Sequence, residues 1–432
     1  MNGWAVVIPG AAVVGYGALS RRLSTTVLSG PMVFMIVGLA IGPLGLDLLD
    51  AEQDPEVTRV LLESALVLLL FADAAGIKAG DLRREEFLPL RLLAVGLPVT
   101  MALGWLAAWP LLPGLGVWEL ALAAVILAPT DAALGQQAFA NRRVPSLIRG
   151  GLTVESGLND GLALPFFVLA LAAADEGHGH PGVAETFLRA LLLSGAIGWA
   201  AGWTGASLLR WSLARGWSSS DWRQFLVLAL PVIAYVLCAV GGGSGFIGAW
   251  AAGLAFAIHL RRTPAGPGVR GQDPDPAQST RFTERLGLLL ASLSFLVFGA
   301  VILGPALQYL TWRTVVYALL SLTIIRMLPV ALALAGTGLR PASVAYIGWF
   351  GPRGLASLVF GLLALEAHLP GEKLLSEVVA VTVGLSIMLH GASAPVLGDR
   401  YGTWFTRTLR VEPNLRENAL ADHDVPRRRG GA

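Results

Sequence analysis

Hydrophobic runs long enough to cross a bilayer recur about thirteen times along this chain of 432 residues. They lie near 4–20, 24–42, 57–77, 91–112, 118–139, 150–174, 186–213, 225–240, 246–260, 286–304, 314–337, 344–368 and 376–397. A helix needs about 20 apolar residues to cross a hydrocarbon core roughly 30 Å thick. Within lipid the backbone must satisfy its own polar groups, which leaves helices or closed barrels, and runs of this length read as helices. The expected fold is therefore all-α: a polytopic membrane protein of about thirteen transmembrane helices. Composition agrees, since 14% of the residues are charged where a soluble protein carries about 25%. The single cysteine, Cys238, allows neither an internal disulfide nor a multi-thiolate metal site. Met1-Asn2-Gly3-Trp4 offers no basic n-region, so the first run reads as a retained span. The eighth and ninth runs meet at Gly241-Gly242-Gly243-Ser244-Gly245, either a tight turn or one long broken segment.

The connecting charges fix an orientation. Placing the N-terminus outside puts roughly 25 of the 31 Lys and Arg on the cytoplasmic side, as the positive-inside rule favours. The clusters include Arg21-Arg22, Arg142-Arg143, Arg261-Arg262 and Arg427-Arg428-Arg429. An odd number of spans, N-out and C-in, is the only arrangement that keeps them together, and a cell inner membrane is the expected location. The Pro/Gly-rich connection from Arg261 to Arg285 reads as a linker between two membrane halves. The expected organisation is a transmembrane domain over 1–400, with one repeat near 4–174, a linking span near 186–213 and a second repeat near 225–397. Residues 401–432 read as a partly disordered cytoplasmic tail. A net charge of +2 gives no basis for a nucleic-acid partner.

The chemistry must then lie in the membrane, and a few residues stand out there. Glu155-Ser156-Gly157-Leu158-Asn159-Asp160 sits inside the sixth apolar run. A charge at mid-membrane costs about 2.5–3.5 kcal/mol even on the lenient insertion scale, which makes such residues functional candidates. On a helix Glu155 and Asn159 share one face, and Ser156 and Asp160 the adjacent one. The stripe carries carboxylate, amide and hydroxyl oxygens, ligands suited to a hard cation. Asp73 lies in the third run, Thr130-Asp131 in the fifth, Arg326 in the eleventh and Arg353 in the twelfth. Glu155 is expected to pair with Arg326 and hold the sixth span to the eleventh. Glu63, Glu119 and Glu366 lie nearer span ends and read as interfacial. Pro129 and Pro352 predict helix breaks, tolerated in a membrane only where protein or a water-lined cavity satisfies the freed groups. The breaks fall seven spans apart, so matching spans run in opposite directions. That spacing predicts an inverted repeat with two broken helices crossing, the layout of many secondary transporters. Asp131 and Arg353 would offset the partial charges of the half-helix ends.

At these residues the chain resembles the monovalent cation:proton antiporter family of the sodium/proton exchangers, in its electroneutral branch. The resemblance extends from Gly42-Pro43-Leu44-Gly45-Leu46 to Gly351-Pro352-Arg353-Gly354 and is most specific at Glu155–Asp160. It implies the sodium/proton antiporter fold, with Asp160 as the ion-binding carboxylate preceded by the asparagine of that branch. Pro129-Thr130-Asp131 resembles the family's fifth-span crossing motif, and Arg326 stands where the family has the arginine that pairs with the acid at Glu155. The third-span acid, commonly glutamate in this branch, is Asp73 here. The resemblance also implies a homodimer and an elevator-like alternating-access movement.

The expected activity is secondary active exchange of Na⁺, or Li⁺, for H⁺, without a cofactor. Proton and sodium would compete for the Asp160 carboxylate, with Asn159, Ser156, Thr130, Asp131 and Asp73 completing the ion-binding set. The load then has equal charge either way, which predicts electroneutral one-for-one exchange. Its partners are monovalent cations, protons, the lipid bilayer and a second copy of the chain. K⁺/H⁺ exchange on the same fold is the nearest alternative, followed by a cation channel. An intramembrane serine protease at Gly242-Gly243-Ser244-Gly245, with His390 as base, is a third. His178 and His180 form a two-His loop that reads as solvated.

Overall fold

The computed structural model describes residues 4–23, 26–48, 55–76, 87–131, 134–135, 138, 141–175, 182–262 and 275–418. Each of the thirteen expected spans contains helix: α1 (Trp4–Leu23), α2 (Gly30–Ile41), α3 (Pro55–Gly76), α4 (Phe87–Leu111), α5 (Val117–Ile126), α6 (Ser146–Asp175), α7 (183–214), α8 (Ser220–Val240), α9 (Gly245–Arg262), α10 (Arg281–Gln308), α11 (Trp312–Ala333), α12 (Pro341–Trp349), α13 (Leu355–Glu366) and α14 (Glu372–Val411). By length and composition α4, α6, α8, α10, α11 and α14 can each cross a membrane, while α2, α5, α9 and α13 are shorter and apolar. Local chemistry sets several boundaries. Ser29, Ser219 and Thr311 cap α2, α8 and α11 by accepting the N–H groups of Met32, Trp222 and Thr314. Between α8 and α9 the chain makes a tight turn at Gly242, whose φ of +76° suits glycine.

The helices pack in two groups. One contains α2, α3, α7, α8, α9 and α10, and the other α4, α5, α6 and α11 to α14. The first is drawn together by small residues. A Cβ on Gly198 or Gly202 of α7 would run into the Gly248 or Ala252 carbonyl of α9, so these two helices touch along their backbones. The groups meet where α3 lies against α6 and α13, where α7 and α9 lie against α6, and where α2 and α10 lie against α14.

Both expected breaks are present. Helix α5 stops at Ile126 and α12 at Trp349, and the chain runs without helix to Asp131 and Gly354. The non-helical stretches cross, with Asp131 N–H donating to the Pro352 carbonyl at 2.8 Å. Helix α11 carries an interruption the sequence did not announce, at Thr323 (φ −118°, ψ −93°), one turn before Arg326.

Three details differ from the sequence reading or add to it. The boundary near 400 falls inside α14, whose 40 residues reach Val411. At 1.5 Å per residue that is about 60 Å, longer than a hydrocarbon core. Residues 412–418 then fold back against α12, while 419–432 lie outside the described residues. Glu417, 1% exposed, accepts the Arg340 N–H at 2.9 Å and the Ser343 hydroxyl at 2.6 Å at the start of α12. Since Ser343 donates there, the Tyr401 hydroxyl 2.8 Å away donates to Ser343. Arg340 also pairs with Glu412, and Arg416 lies over the Phe87 ring. Second, Glu63 and Glu119, acids near span ends, are buried against protein partners. Glu119 accepts the Gly116 and Gly371 N–H groups, and Glu63 is held by Arg59 and the Tyr235 hydroxyl. Third, the expected linker from Arg261 is shortened, because α9 reaches Arg262 and Pro276–Ser279 and α10 are helical. His178 and His180 lie outside the described residues.

Glu417→Ala removes the acceptor for the buried Ser343 hydroxyl and the half-buried Arg340 N–H. It is expected to lower stability by about 2 kcal/mol, read as an earlier thermal unfolding midpoint of the detergent-solubilised protein. An unchanged midpoint would mean the 412–418 strap contributes nothing to holding α12.

Candidate functional site

The site is built on α6, and its spacing does what 3.6 residues per turn requires. Glu155 points towards α11, where Arg326 Nη1 and Nη2 donate to its two oxygens at 2.9 and 3.0 Å. Both side chains are at most 2% exposed. This bidentate pair is the expected tie between the sixth and eleventh spans. Arg326 also packs against the crossing, since a Cβ on Gly351 would overlap its guanidinium.

One turn along α6, Asn159 donates from Nδ2 to Thr130 Oγ1 at 2.5 Å, with Glu155 Oε1 3.5 Å away. Ionised Glu155 can only accept, so it fixes which end of the amide is the NH₂. Thr130 and Ser156 hydroxyls lie 3.1 Å apart. The broken fifth span is thus stitched to α6 through Thr130. What the network leaves over is informative. Asn159 Oδ1 and Asp160 Oδ1 are both buried and have no hydrogen-bond partner among the described residues. A buried oxygen without a donor carries a desolvation cost of about 1–3 kcal/mol, and here two such oxygens come from consecutive residues. Either a cation or, on the carboxylate, a proton would relieve that cost.

Asp73 arrives from α3 in the other helix group. A Cβ on Gly157 would lie 3.5 Å from Asp73 Cβ, so Asp73 sits directly across from the polar stripe. Asp73, Asp131 and Glu155 are all near enough to act electrostatically on Asp160. Among the described residues no three His, Cys, Asp or Glu side chains gather closely enough to hold a metal ion. The oxygens on offer at Asp160 are one carboxylate and its neutral neighbours.

The other two charges serve the crossing. Arg353, 0% exposed, donates from Nη1 to the carbonyls of Ala128, Pro129 and Gly351 at 3.0, 3.3 and 3.2 Å. It therefore caps the carbonyl end of α5. Asp131 Oδ2 accepts the Leu355 N–H at 2.9 Å, and Oδ1 the Leu134 N–H at 3.3 Å. It caps the amide end of α13, where a Cβ on Gly354 would overlap its carboxylate.

Two participants went unnoticed in the sequence. Ser357 of α13 donates to the Ile126 carbonyl at 2.7 Å, completing the cap on α5. Trp250 of α9 covers α6 beside Asp160: a Cβ on Gly161 would overlap its indole, whose N–H is buried without a partner among the described residues. The signal was present, as Trp250 is the lone large side chain in Gly248-Ala249-Trp250-Ala251-Ala252-Gly253. The protease constellation does not assemble. Ser244 Oγ accepts the Ile247 N–H at the start of α9, His390 bonds with Ser386 in α14, and no hydrogen bond joins Ser244 to His390.

The sequence pattern of the family described as "Sodium/hydrogen exchanger, transmembrane" matches residues 9–399. A Schizosaccharomyces pombe protein named "Probable Na(+)/H(+) antiporter C3A11.09" is 30% identical over 408 residues, covering 82% of this chain and 50% of that protein. The Saccharomyces cerevisiae "Na(+)/H(+) antiporter" is 26% identical over 362 residues, 76% of this chain and 34% of its own length. The Shewanella baltica "K(+)/H(+) antiporter NhaP2" is 25% identical over 388 residues, 87% of this chain and 62% of that one. The chain thus spans a third to a half of the length of these two fungal relatives. The solved sodium proton antiporter MjNhaP1 from Methanocaldococcus jannaschii superposes with a TM-score of 0.72 over 92% of this chain and 98% of that one, at 19% identity. The fold is that of this antiporter, a multi-pass membrane protein with crossing broken helices.

Breaking the buried pair on one side should be far worse than replacing both partners. Glu155→Ala is expected to destabilise by about 3–5 kcal/mol, and the double change Glu155→Leu with Arg326→Met to recover most of that loss. Thermal unfolding of the three proteins checks this. A double variant no better than the single one would show that the pair's worth is not the uncompensated Arg326 charge.

Proposed function

Since the chain belongs to the sodium/hydrogen exchanger family, we propose that it exchanges Na⁺ for H⁺ across a membrane, one for one, at the Asp160 carboxylate. The observation that carries this reading is the pair of unpartnered buried oxygens, Asn159 Oδ1 and Asp160 Oδ1, on consecutive residues of α6. Asp160 binds the proton or the sodium ion. Asn159, Ser156 and Thr130 supply neutral oxygens beside it, Asp73 faces it from α3, and Asp131 acts through its charge while capping α13. Glu155 with Arg326 and Arg353 are structural. The protein is a secondary transporter, not an enzyme, and needs no cofactor.

Coupling follows from the price of charge in the membrane. Crossing with a bare Asp160 costs about 2.5–3.5 kcal/mol, which suppresses the empty movement roughly 100-fold. A proton or a sodium ion removes that penalty equally, so both are carried and neither leaks. Asn159 is neutral and its amide is committed to Thr130, so no second titrating group joins it there. Alternating access is proposed as an elevator-like movement of one helix group against the other, in a homodimer lying in a cell inner membrane, N-terminus outside and C-terminus cytoplasmic. The likeness to proteins named K(+)/H(+) antiporters gives K⁺ as the second reading.

Collapse of a pH gradient in liposomes on adding Na⁺, Li⁺ or K⁺ names the ion. Asp160→Asn should abolish exchange, and the wild-type rate should ignore the membrane potential, whereas Asn159→Asp should make the rate follow it. Exchange that survives Asp160→Asn would move the site to Asp73 or Asp131.

A further inference from the structure

Away from the ion site, a cavity of about 840 Å³ opens where α3 and α14 begin and α10 and α13 end. Ligand sites typically measure about 300–1,000 Å³, with apolar walls and few polar groups. Its deep walls are aliphatic, among them Ile302, Leu358 and Val379, while Tyr309, Lys373 and Glu377 stand at the helix ends. Water needs several polar partners to settle in a cavity and is a poor occupant of such walls. In a chain that crosses a bilayer, the apolar segment at hand is a lipid acyl chain.

The mouth specifies the head group. Lys373 and Glu377 are one helical turn apart on α14, yet they make no ion pair with each other or with other described residues. Glu377 uses only Oε1, which accepts the Thr314 hydroxyl at 2.9 Å. One cation and one anion at this spacing complement a zwitterion. A phosphate would take the Lys373 ammonium, and a primary ammonium would donate to the free Glu377 oxygen. A choline head group has no N–H to donate, and an anionic head group without an amine leaves Glu377 unanswered.

We propose that this cavity binds one phosphatidylethanolamine molecule, with an acyl chain inside, its phosphate on Lys373 and its ammonium on Glu377. The site touches α3 and α10 on one side and α13 and α14 on the other, so the lipid wedges the two helix groups together at that end. The proposal requires the chain to lie in a bilayer but not that it exchanges any particular ion.

Native mass spectrometry of the full chain, given phosphatidylethanolamine, phosphatidylglycerol or phosphatidylcholine with identical acyl chains, tests it. The wild type should retain one phosphatidylethanolamine and hold the other two about tenfold more weakly. Lys373→Gln and Glu377→Gln should each weaken retention about tenfold, the worth of one charge-assisted hydrogen bond. Ala306→Trp, which fills the cavity, should abolish it. Lys373 and Glu377 lie at the mouth, so their variants keep the test decisive if Ala306→Trp does not fold. Equal retention of the three lipids, retention indifferent to both charges, or no lipid held by the wild type would overturn the proposal.

Discussion

Two helices that stop in the middle of a membrane leave carbonyls and amides that lipid cannot satisfy, and the rest of this structure is arranged around answering them. An α-helix leaves four such groups at each end, and the ends carry about half a charge. Three carbonyls around the crossing go to a single guanidinium group of Arg353, and Ser357 takes a fourth. On the amide side Asp131 accepts from Leu355. Arg353 is in turn anchored through its own N–H to Ser386 of α14 at 2.6 Å. The crossing is thereby a rigid object, and rigidity has a use: it sets Thr130 against Asn159 and Ser156. The hydroxyl that orients the asparagine amide is delivered by a helix break.

The same economy leaves two deep acids, Asp160 and Asp73, without a hydrogen-bonding or ionic partner among the described residues on at least one oxygen. Deep charges in this chain are mostly answered within the protein. Glu155 is neutralised by Arg326, Asp131 by the amide end of α13, and Arg353 by the carbonyl end of α5. Asp160 has no such answer on Oδ1, and its electrostatic neighbours Asp131, Asp73 and Glu155 are acids. A site that permanently satisfied Asp160 would have nothing to exchange. On the proposed reading, Asp160 Oδ1 is the atom for which the transported ion and the proton compete.

Much of this was legible in the sequence because membrane placement makes rare events conspicuous. Each apolar run announced a helix, Pro129 and Pro352 announced the breaks, and Glu155 with Arg326 announced a pair because neither could be buried alone. What stayed hidden depends on partners far apart in the chain. Asp131 reads as an ion ligand or a structural partner until Leu355, 224 residues on, is seen to donate to it. Trp250 looks like one more apolar residue until Gly161 is set beneath it. The residues after 400 look like a solvated tail because they are rich in charge and lack a long apolar run. Yet Tyr401, Phe405 and Leu415 are buried, and Glu417 finds two donors at the start of α12. Composition registers the charges, but not that they are already matched.

The position of the site at the seam between the helix groups bears on how it could open. Thr130, Asn159 and Asp160 belong to one group, and Asp73 and Trp250 to the other. Contacts within the site's own group are hydrogen bonds, whereas across the seam Asp73 meets Gly157 and Trp250 meets Gly161. Gly157 and Gly161 are what let α3 and α9 come this close to α6. The ion pair across the seam between Arg59 and Glu366, 3.2 Å apart, is 45% and 35% exposed, and such a pair is worth at most about 1 kcal/mol. A movement that slides one group past the other would keep the oriented Asn159–Thr130 pair intact while exchanging what faces Asp160. In the proposed elevator-like movement, the hydrogen bonds that orient Asn159 would travel with their own helix group.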